Sequence, residues 1–372
     1  MLKQIRLIDF KSFVDEEVTL APLTLLVGAN ASGKSNFLDS LWFLHGLTLG
    51  LEVGEVLDGE EPAHRNGEPW PALRGGSREA SRLGTTRFEI RTVWSGFALP
   101  PPNVPPSSDI PYRIICQTKP APRIDKELSD SLVIAADALV SGLGEGPGPG
   151  GLSSRLAQAI GQVRQIAIRP ERMRDYGQLK RPLLATDGTN FSGALHHLCM
   201  EREERQNLVD WLSELLAPEI ADVDFIEVKE LGDVMAVFVE KDGTRVSARS
   251  LSDGTLRFLG LLLSLRQAEP GSTLLIEEVD SGLHPTRIRV LMELLRQATR
   301  DRGVQVIATT HDPTCLEYAG DEALQDTIVL GRVPEHSGTI MRRLGDLPHF
   351  DEVIKGRGIS DLFTTGWLEM AL

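Results

Sequence analysis

The sequence has little cysteine, few aromatic residues and no apolar run long enough to cross a membrane. Its three cysteines, Cys116, Cys199 and Cys315, are far apart among 372 residues and include no C-x-x-C pair. This spacing excludes a disulfide framework and a cysteine zinc site, and it predicts small core residues in a reducing compartment. The longest apolar run, 258–265, ends at Arg266 and is too short to span a bilayer. We therefore expect a cytoplasmic protein that does not associate with membranes.

The chain also lacks an excess of basic residues. Its 39 Lys and Arg against 53 Asp and Glu give a formal net charge of −14 at pH 7. Because clustered cations bind nucleic-acid phosphates, this balance argues against a surface that is basic throughout, although it permits a local patch. The candidate patches are Arg287 with Arg289, Arg296 with Arg300 and Arg302, Arg342 with Arg343, and Arg164 with Arg169, Arg172 and Arg174. We expect each of them to be a solvated or ion-paired face more often than a DNA contact.

A phosphate-binding motif is present near the start of the chain. Residues 28–35 read Gly-Ala-Asn-Ala-Ser-Gly-Lys-Ser, a complete G-x-x-x-x-G-K-S loop between an apolar strand-like run and a helical pattern. Such a loop wraps its backbone N–H groups around phosphate oxygens, and the helix that follows directs its positive end at the same anion. Lys34 adds a charge for the outer phosphates, and Ser35 supplies a hydroxyl ligand for Mg²⁺. The predicted nucleotide-binding residues are Gly28, Ala29, Asn30, Ala31, Ser32, Gly33, Lys34, Ser35 and Asn36.

A pair of carboxylates follows a second apolar strand, 274–276, far along the chain. In nucleotide hydrolysis one carboxylate at such a strand end holds the Mg²⁺ shell, and the next orients or deprotonates the attacking water. We assign Glu277 to magnesium and Glu278 to the water. The alternative, two surface glutamates in a turn, is disfavoured because the strand precedes them directly.

Two further segments are predicted to contact nucleotide. Ser252 is a good N-cap for a strongly apolar helix, and the free N–H groups at its start form a second anion site with Asp253 and Gly254, although a plain capped helix would look similar. His311 follows a buried strand, 305–308, at the carboxyl end, where α/β sheets place ligand groups. We interpret His311 as a sensor of the terminal phosphate; a structural histidine is the alternative.

The composition between these halves predicts an insertion. Two β-rich segments, 87–94 and 112–117, are separated by a proline-rich loop at 100–106, and a glycine-rich linker follows at 142–151. Helical spacing at 152–163 and 194–216 precedes a predicted β-hairpin at 223–239. No sustained heptad pattern runs through the insertion, so a long coiled coil is not expected. We predict an α/β fold with a core from 1–50 and 220–345, inserted β-rich and helical lobes at 51–219, and a tail at 346–372 that packs on the core.

Taken together, these motifs resemble the ATP-binding-cassette branch of P-loop ATPases. The heads of structural-maintenance-of-chromosomes, recombination-F-like and overcoming-lysogenisation-defect proteins are the most similar group. Residues 5–13 look like its first strands, 251–255 like its signature motif, 277–285 like its Walker B motif and D-loop, and Thr310-His311 like its switch. Residues 74–76, 187–191 and 366–368 show a weaker resemblance to bacterial stand-alone predicted ATPases of this type.

The resemblance implies ATP and Mg²⁺ as cofactors and hydrolysis of ATP as the activity. It also implies a homodimer of ATP-loaded heads paired head to tail, with the phosphate loop of one copy and Ser252 of the other enclosing each nucleotide. Glu277 stands where many relatives have aspartate, and no glutamine matches the Q-loop, a role that the Arg74 region would have to fill. No nuclease segment follows the motifs, so any cutting of DNA or RNA is expected from a separate nuclease or toxin-like effector.

The leading hypothesis is therefore an ATPase switch that acts on nucleic acid in DNA repair or defence against phage. The alternative is the nucleotide-binding subunit of a membrane transporter, against which stand Leu-Ser-Asp-Gly-Thr at 251–255 and the long interval before it. A scaffold that binds ATP without cleaving it is disfavoured because Glu278 and His311 are both present. A GTPase is disfavoured because no N-K-x-D base-reading motif occurs.

Overall fold

The structure is a computed structural model that describes residues 1–59, 70–95, 109–129, 152–215, 220–333 and 336–372. The proline-rich loop predicted at 100–106 and the glycine-rich linker predicted at 142–151 lie outside these ranges. The described residues form an α/β fold, as predicted, in which three sheets are combined with helices.

The strands and helices of the described residues are numbered along the chain. The strands are β1 (Leu2–Ile8), β2 (Asp15–Thr19), β3 (Leu23–Val27), β4 (Arg87–Trp94), β5 (Ile110–Gln117), β6 (Arg123–Ser129), β7 (Val163–Ile166), β8 (Gly177–Gln178), β9 (Ile220–Val228), β10 (Asp233–Glu240), β11 (Arg245–Ser247), β12 (Thr273–Ile276), β13 (Gln305–Thr309), β14 (Ile328–Gly331) and β15 (Ile340–Arg343). The α-helices are α1 (Lys34–Thr48), α2 (Val53–Asp58), α3 (Gly76–Glu79), α4 (Leu152–Gly161), α5 (Pro170–Met173), α6 (Phe191–Cys199), α7 (Arg202–Leu215), α8 (Asp253–Gln267), α9 (Pro285–Asp301), α10 (Pro313–Glu317), α11 (Asp321–Gln325), α12 (Phe350–Gly356), α13 (Ile359–Thr364) and α14 (Trp367–Met370). Short 3-10 helices cover Ala248–Ser250 and Leu344–Asp346.

The largest sheet joins strands from distant parts of the chain in the order β15-β14-β3-β13-β12-β7. All neighbours in it are parallel except β14 and β15, which are antiparallel. Every residue of β3, β12 and β13 is buried, which explains why these strands read as continuous apolar runs rather than alternating ones. The edge strand β7 was not predicted, because the sequence pattern indicates a helix over 152–163. In the structure helix α4 ends at Gly161, and β7 begins at Val163.

A second sheet is antiparallel, with the order β2-β1-β4-β5-β6. Buried and less buried residues alternate strictly along β4 and β5, the period-two pattern of a strand with one face in the core. β4 pairs directly with β1, placing Ile5 opposite Thr92 and Leu7 opposite Ile90. The β-rich segments predicted after the phosphate loop therefore extend the sheet that the first two strands begin.

A third, smaller sheet contains the predicted hairpin. β9 and β10 pair antiparallel over most of their length, and β10 also pairs with β8 and β11. Residues 234–238 of β10 are all buried, and the strand packs against helix α6. Cys116, Cys199 and Cys315 form no disulfide and are buried, which confirms the prediction that they are core residues.

A buried amide connects the two larger sheets where β1 begins. The Gln305 side chain, 1% exposed on β13, accepts from the Leu2 backbone N–H at 2.9 Å and donates to the Leu2 carbonyl at 2.7 Å. It also donates to the Ala21 carbonyl at 3.1 Å, and the Thr273 hydroxyl lies 3.1 Å from its Oε1. The amide thus satisfies polar backbone groups where β1 starts, next to the core sheet.

Replacing Gln305 by leucine should destabilise the fold. The Gln305→Leu side chain has similar volume but leaves the Leu2 N–H and carbonyl buried without partners, which costs on the order of 2 kcal/mol or more. We expect a lower midpoint of urea unfolding. Gln206→Leu, on an exposed face of α7, is the control and should change stability by less than about 0.5 kcal/mol. Equal midpoints for the two variants would contradict the role given to this amide.

Candidate functional site

The phosphate-binding motif forms the loop between β3 and α1. Gly28 has φ 144°, and a Cβ built on it would lie 2.0 Å from the carbonyl oxygen of Leu330 on β14. Only glycine fits this position, because the backbone conformation and the close approach both exclude a side chain. Residues 29–31 are exposed at the top of the loop, whereas Ser32 is buried and its hydroxyl has no partner among the described residues.

Lys34, the first residue of α1, is buried inside the loop. Its Nζ donates to the carbonyls of Gly28 at 2.7 Å and Ala29 at 2.9 Å. Burial lowers the pKa of this ammonium, and the nearby carboxylates of Glu369 on α14 and Glu278 partly oppose that effect. The charged amine is therefore held by two neutral carbonyls, and a phosphate oxygen would be a stronger, charge-assisted acceptor.

The segment that leads into β15 forms hydrogen bonds to the phosphate loop at Ser32. Thr339 donates from its hydroxyl to the carbonyl of Ser32 at 2.8 Å and lies 2.8 Å from the hydroxyl of Ser12. Asn36, which the sequence grouped with the nucleotide ligands, donates from its amide to the same Ser12 hydroxyl at 2.9 Å. Within the chain, the Asn36 side chain thus supports the shape of the loop.

Glu277 and Glu278 directly follow β12. Glu277 Oε2 accepts from Arg74 Nη2 at 2.5 Å, whereas its Oε1 is buried and has no partner among the described residues. Glu278 has φ 47°, unusual for a residue with a side chain, and its backbone N–H donates to the Thr309 hydroxyl at 2.8 Å. The Glu278 side chain is exposed. Backbone strain of this kind persists where the surroundings enforce it, often at functional sites.

These residues fit a magnesium ion. A buried carboxylate oxygen without a hydrogen bond is costly, and a divalent cation would satisfy the free Oε1 of Glu277. Ser35 is half-buried at the second residue of α1 and would supply the hydroxyl ligand. A Mg²⁺ ion held by these residues would neutralise charge on the phosphate oxygens of a bound nucleotide.

Arg74 is a site residue that the sequence indicated only weakly. The Lys11 ammonium, itself buried, donates to the Arg74 carbonyl at 2.8 Å and to the Asp39 carboxylate at 2.6 Å. This arrangement fixes the loop before α3 so that the Arg74 guanidinium meets Glu277. The motif at 74–76 suggests a substitute for a Q-loop, but the local pattern holds no sign of a partner 203 positions away.

His311 and Glu278 are linked through the end of β13. The last strand residue, Thr309, binds the Glu278 N–H through its hydroxyl and the Val279 N–H through its carbonyl. His311 lies two residues further on and is exposed. In the sheet order β3-β13-β12, the phosphate loop, His311 and the two glutamates all follow carboxyl ends of adjacent parallel strands. One edge of the sheet therefore carries all three groups.

Ser252 is the N-cap of helix α8, and residues 251–254 around it are called the Ser252 segment. The Ser252 hydroxyl accepts from the Thr255 N–H at 3.2 Å, and Ser252 and Asp253 are exposed. A Cβ on Gly254 would lie 2.2 Å from the Gly282 carbonyl oxygen, so this glycine permits close packing against the segment after the paired glutamates. The helix start and the carboxylate segment are thus in direct contact.

Comparison with known proteins defines the class. The profile of a family described as "AAA domain, putative AbiEii toxin, Type IV TA system" matches residues 23–97 and 155–317, more than half of the chain. The chain belongs to this family. Its fold is that of an ABC-type P-loop ATPase, and the family implies nucleotide binding with Mg²⁺ as the usual metal.

Two solved structures support the fold. An Smc head bound to the C-winged helix domain of ScpA has a TM-score of 0.56 and 14% identity, covering 92% of this chain and 98% of that one. An Smc head with an extended coiled coil, bound to the C-terminal domain of ScpA derived from Pyrococcus furiosus, has a TM-score of 0.53 and 14% identity, covering 95% and 98%. A comparison with curated proteins finds no match. The described helices include none long and apolar enough to cross a membrane.

Substituting Gly28 should weaken nucleotide binding. In Gly28→Ala the added methyl group collides with the Leu330 carbonyl and forces the loop out of shape, so we expect affinity for a fluorescent ATP analogue to fall at least about tenfold, or roughly 1.4 kcal/mol. Gly84→Ala is the matched control, because Gly84 also has a positive φ, 92°, but nothing lies within 4 Å of its added Cβ. Equal affinities for the two variants would show that the close approach at Gly28 is dispensable.

Proposed function

We propose that the chain is a Mg²⁺-dependent ATPase that works as a switch, in which two copies close head to tail around ATP and separate after hydrolysis. The observation that carries this proposal is the shared sheet edge, where the phosphate loop, the paired glutamates and His311 follow adjacent strand ends. In the proposed mechanism these groups would act as a phosphate cradle, a metal ligand and a base in one place, as hydrolysis of a phosphoanhydride requires.

Each residue has a distinct proposed role. Loop N–H groups and Lys34 would bind the outer phosphates, and Ser35 with Glu277 would hold the metal. Glu278 would orient the attacking water and accept its proton, for which its exposed side chain is suited. His311 would donate to the terminal phosphate. Arg74, now paired with Glu277, would connect this charge cluster to the inserted segment.

The second copy is needed to use the Ser252 segment. The start of α8 offers free N–H groups beyond the one that Ser252 caps, and together with exposed Ser252 and Asp253 it forms an outward-facing anion site. In a two-fold pair the same two surfaces meet twice, so each phosphate loop would face the Ser252 segment of the partner. ATP that binds only the closed state stabilises it, and hydrolysis removes that stabilisation.

We also propose that the active protein is a cytoplasmic homodimer serving a separately encoded effector, in DNA repair or anti-phage defence. The family description names a toxin and a type IV TA system, which supports an effector relationship. The two Smc heads are each bound to a domain of ScpA, so heads of this fold can carry protein partners. The matches do not favour the alternative of a transporter subunit.

The division of the chain stays a proposal as well, with a core from 1–50 and 220–345, lobes at 51–219 and a tail at 346–372. Supporting it, Leu368 of α14 is buried, and a Cβ on Gly331 of β14 would meet the Leu372 side chain at 2.3 Å. The strand β7 shows that part of the interval nevertheless pairs with the core sheet.

Glu278→Gln should separate binding from hydrolysis. The amide cannot accept the proton of the attacking water, so we expect ATP turnover to fall about 10² to 10⁴-fold. ATP affinity and ATP-dependent pairing should survive, because the phosphate loop and Ser252 are untouched. We would measure ATP turnover by the release of phosphate and pairing by light scattering. Glu322→Gln, at an exposed position of α11, is the control. Retained turnover would remove Glu278 from the role.

A nucleic-acid role should depend on an arginine pair on α9. Several other candidate arginines are ion paired: Arg296 with Glu293, Arg300 with Asp301, Arg342 with Glu16, and Arg343 with Asp326. We expect duplex DNA or RNA to bind the ATP-loaded Glu278→Gln protein in a salt-sensitive manner and Arg287→Ala with Arg289→Ala to weaken this binding. Arg300→Ala is the control. Equal binding by the double variant and the control would exclude Arg287 and Arg289 as the contact.

A further inference from the structure

Arg174, which follows the short helix α5, contacts three positions of the segment that leads into α8. Its Nη2 donates to the Leu251 carbonyl at 2.8 Å and to the Asp253 carboxylate at 2.8 Å. Its Nε donates to the Arg249 carbonyl at 3.2 Å. One planar guanidinium therefore binds the residues on both sides of Ser252.

The contact runs in both directions. The Arg249 Nε donates to the Arg174 carbonyl at 3.3 Å, and the Arg249 guanidinium carbon lies 5.3 Å from the centroid of the Tyr176 ring. Two segments about 75 positions apart are thus joined by reciprocal arginine contacts. Since α5 lies in the interval between the two halves of the site, the interval has a direct connection to the start of α8.

We infer that Arg174 is a positioning residue for the anion site formed by Ser252, Asp253 and the start of α8, and that it prepares this site for the ATP held by a second copy. The inference rests on the proposed head-to-tail pairing. It adds a residue from the interval that sets how well the segment accepts the partner's nucleotide.

The negative charge of Asp253 explains why a cation is required beside Ser252. Its carboxylate is 71% exposed and lies next to Ser252, where it would repel an approaching phosphate. The Arg174 guanidinium compensates that charge and holds the carboxylate to one side. A purely structural role explains less, because an ion pair between partly exposed groups contributes little to stability.

The geometry also favours arginine over lysine. The guanidinium fork reaches two acceptors at once through Nη2 and a third through Nε, whereas an ammonium supplies the charge without that planar fork. A lysine at this position should therefore neutralise Asp253 in part but leave the Leu251 and Arg249 carbonyls less well fixed.

The test separates binding of ATP by one copy from recognition of that ATP by the other. In the Glu278→Gln background, which we expect to bind ATP without cleaving it, Arg174→Ala should keep its affinity for a fluorescent ATP analogue, because the phosphate loop is unchanged. ATP-dependent pairing, followed by sedimentation, should weaken at least about tenfold. Arg174→Lys should fall between the two, which a role in folding alone would not produce.

The chain offers a matched control on helix α5, which directly precedes Arg174. Arg172 is 58% exposed and its Nε is 3.9 Å from the Asp187 carboxylate, so Arg172→Ala removes an arginine of similar charge without touching the Ser252 segment. It should leave pairing unchanged. Adding Asp253→Asn to Arg174→Ala should restore part of the pairing, because the uncompensated carboxylate is then gone.

The outcomes distinguish the inference from the proposed function. If the Glu278→Gln parent pairs with ATP and Arg174→Ala pairs equally well, the inference is wrong and the proposed pairing stands. If the parent itself does not pair with ATP, the proposed function fails and the inference falls with it. If the Arg174→Ala protein is too unstable to remain folded in the assay, the Arg174→Lys variant is used instead. Pairing of Arg174→Lys equal to that of the Glu278→Gln parent would overturn the inference.

Discussion

The parallel pairing of β3, β13 and β12 is the constraint on which the rest of the site depends. Its register sets Leu26 beside Thr309 and Ile276 beside Ala308, so the segments that leave these strands emerge side by side. Residues from the two ends of the chain are thereby brought to one edge of the sheet. Without this pairing the phosphate loop and the two glutamates would have no common substrate position.

The interval between the two halves of the site does more than separate them. It contributes Arg74, which contacts the glutamate assigned to magnesium, and Arg174, which contacts the segment around Ser252. It also adds β7 to the core sheet beside β12. The inserted elements therefore contact both the paired glutamates and the start of α8, through Arg74 and Arg174.

The sequence was informative where chemistry is local. Neighbouring residues predict the phosphate loop through the spacing of its glycines. They also predict the buried strands and the strands β4 and β5 through their apolar, β-rich composition. The fold class is confirmed, whereas the roles of Glu277, Glu278, Ser252 and His311 stay predictions. The pairing of β4 with β1, the edge strand β7 and the Arg74 to Glu277 contact could not be predicted, because each depends on residues distant in sequence that no local pattern connects.

We propose that ATP hydrolysis requires the pair of copies and does not occur in the single chain. The most direct measurement is ATP turnover per chain over a range of protein concentrations, with the fraction of pairs determined by light scattering in the same samples with Mg²⁺ and ATP. If the pair is the active unit, turnover rises in proportion to the paired fraction and then saturates. Full turnover in samples that remain monomeric with ATP would contradict it and would remove Ser252 from a role across the interface.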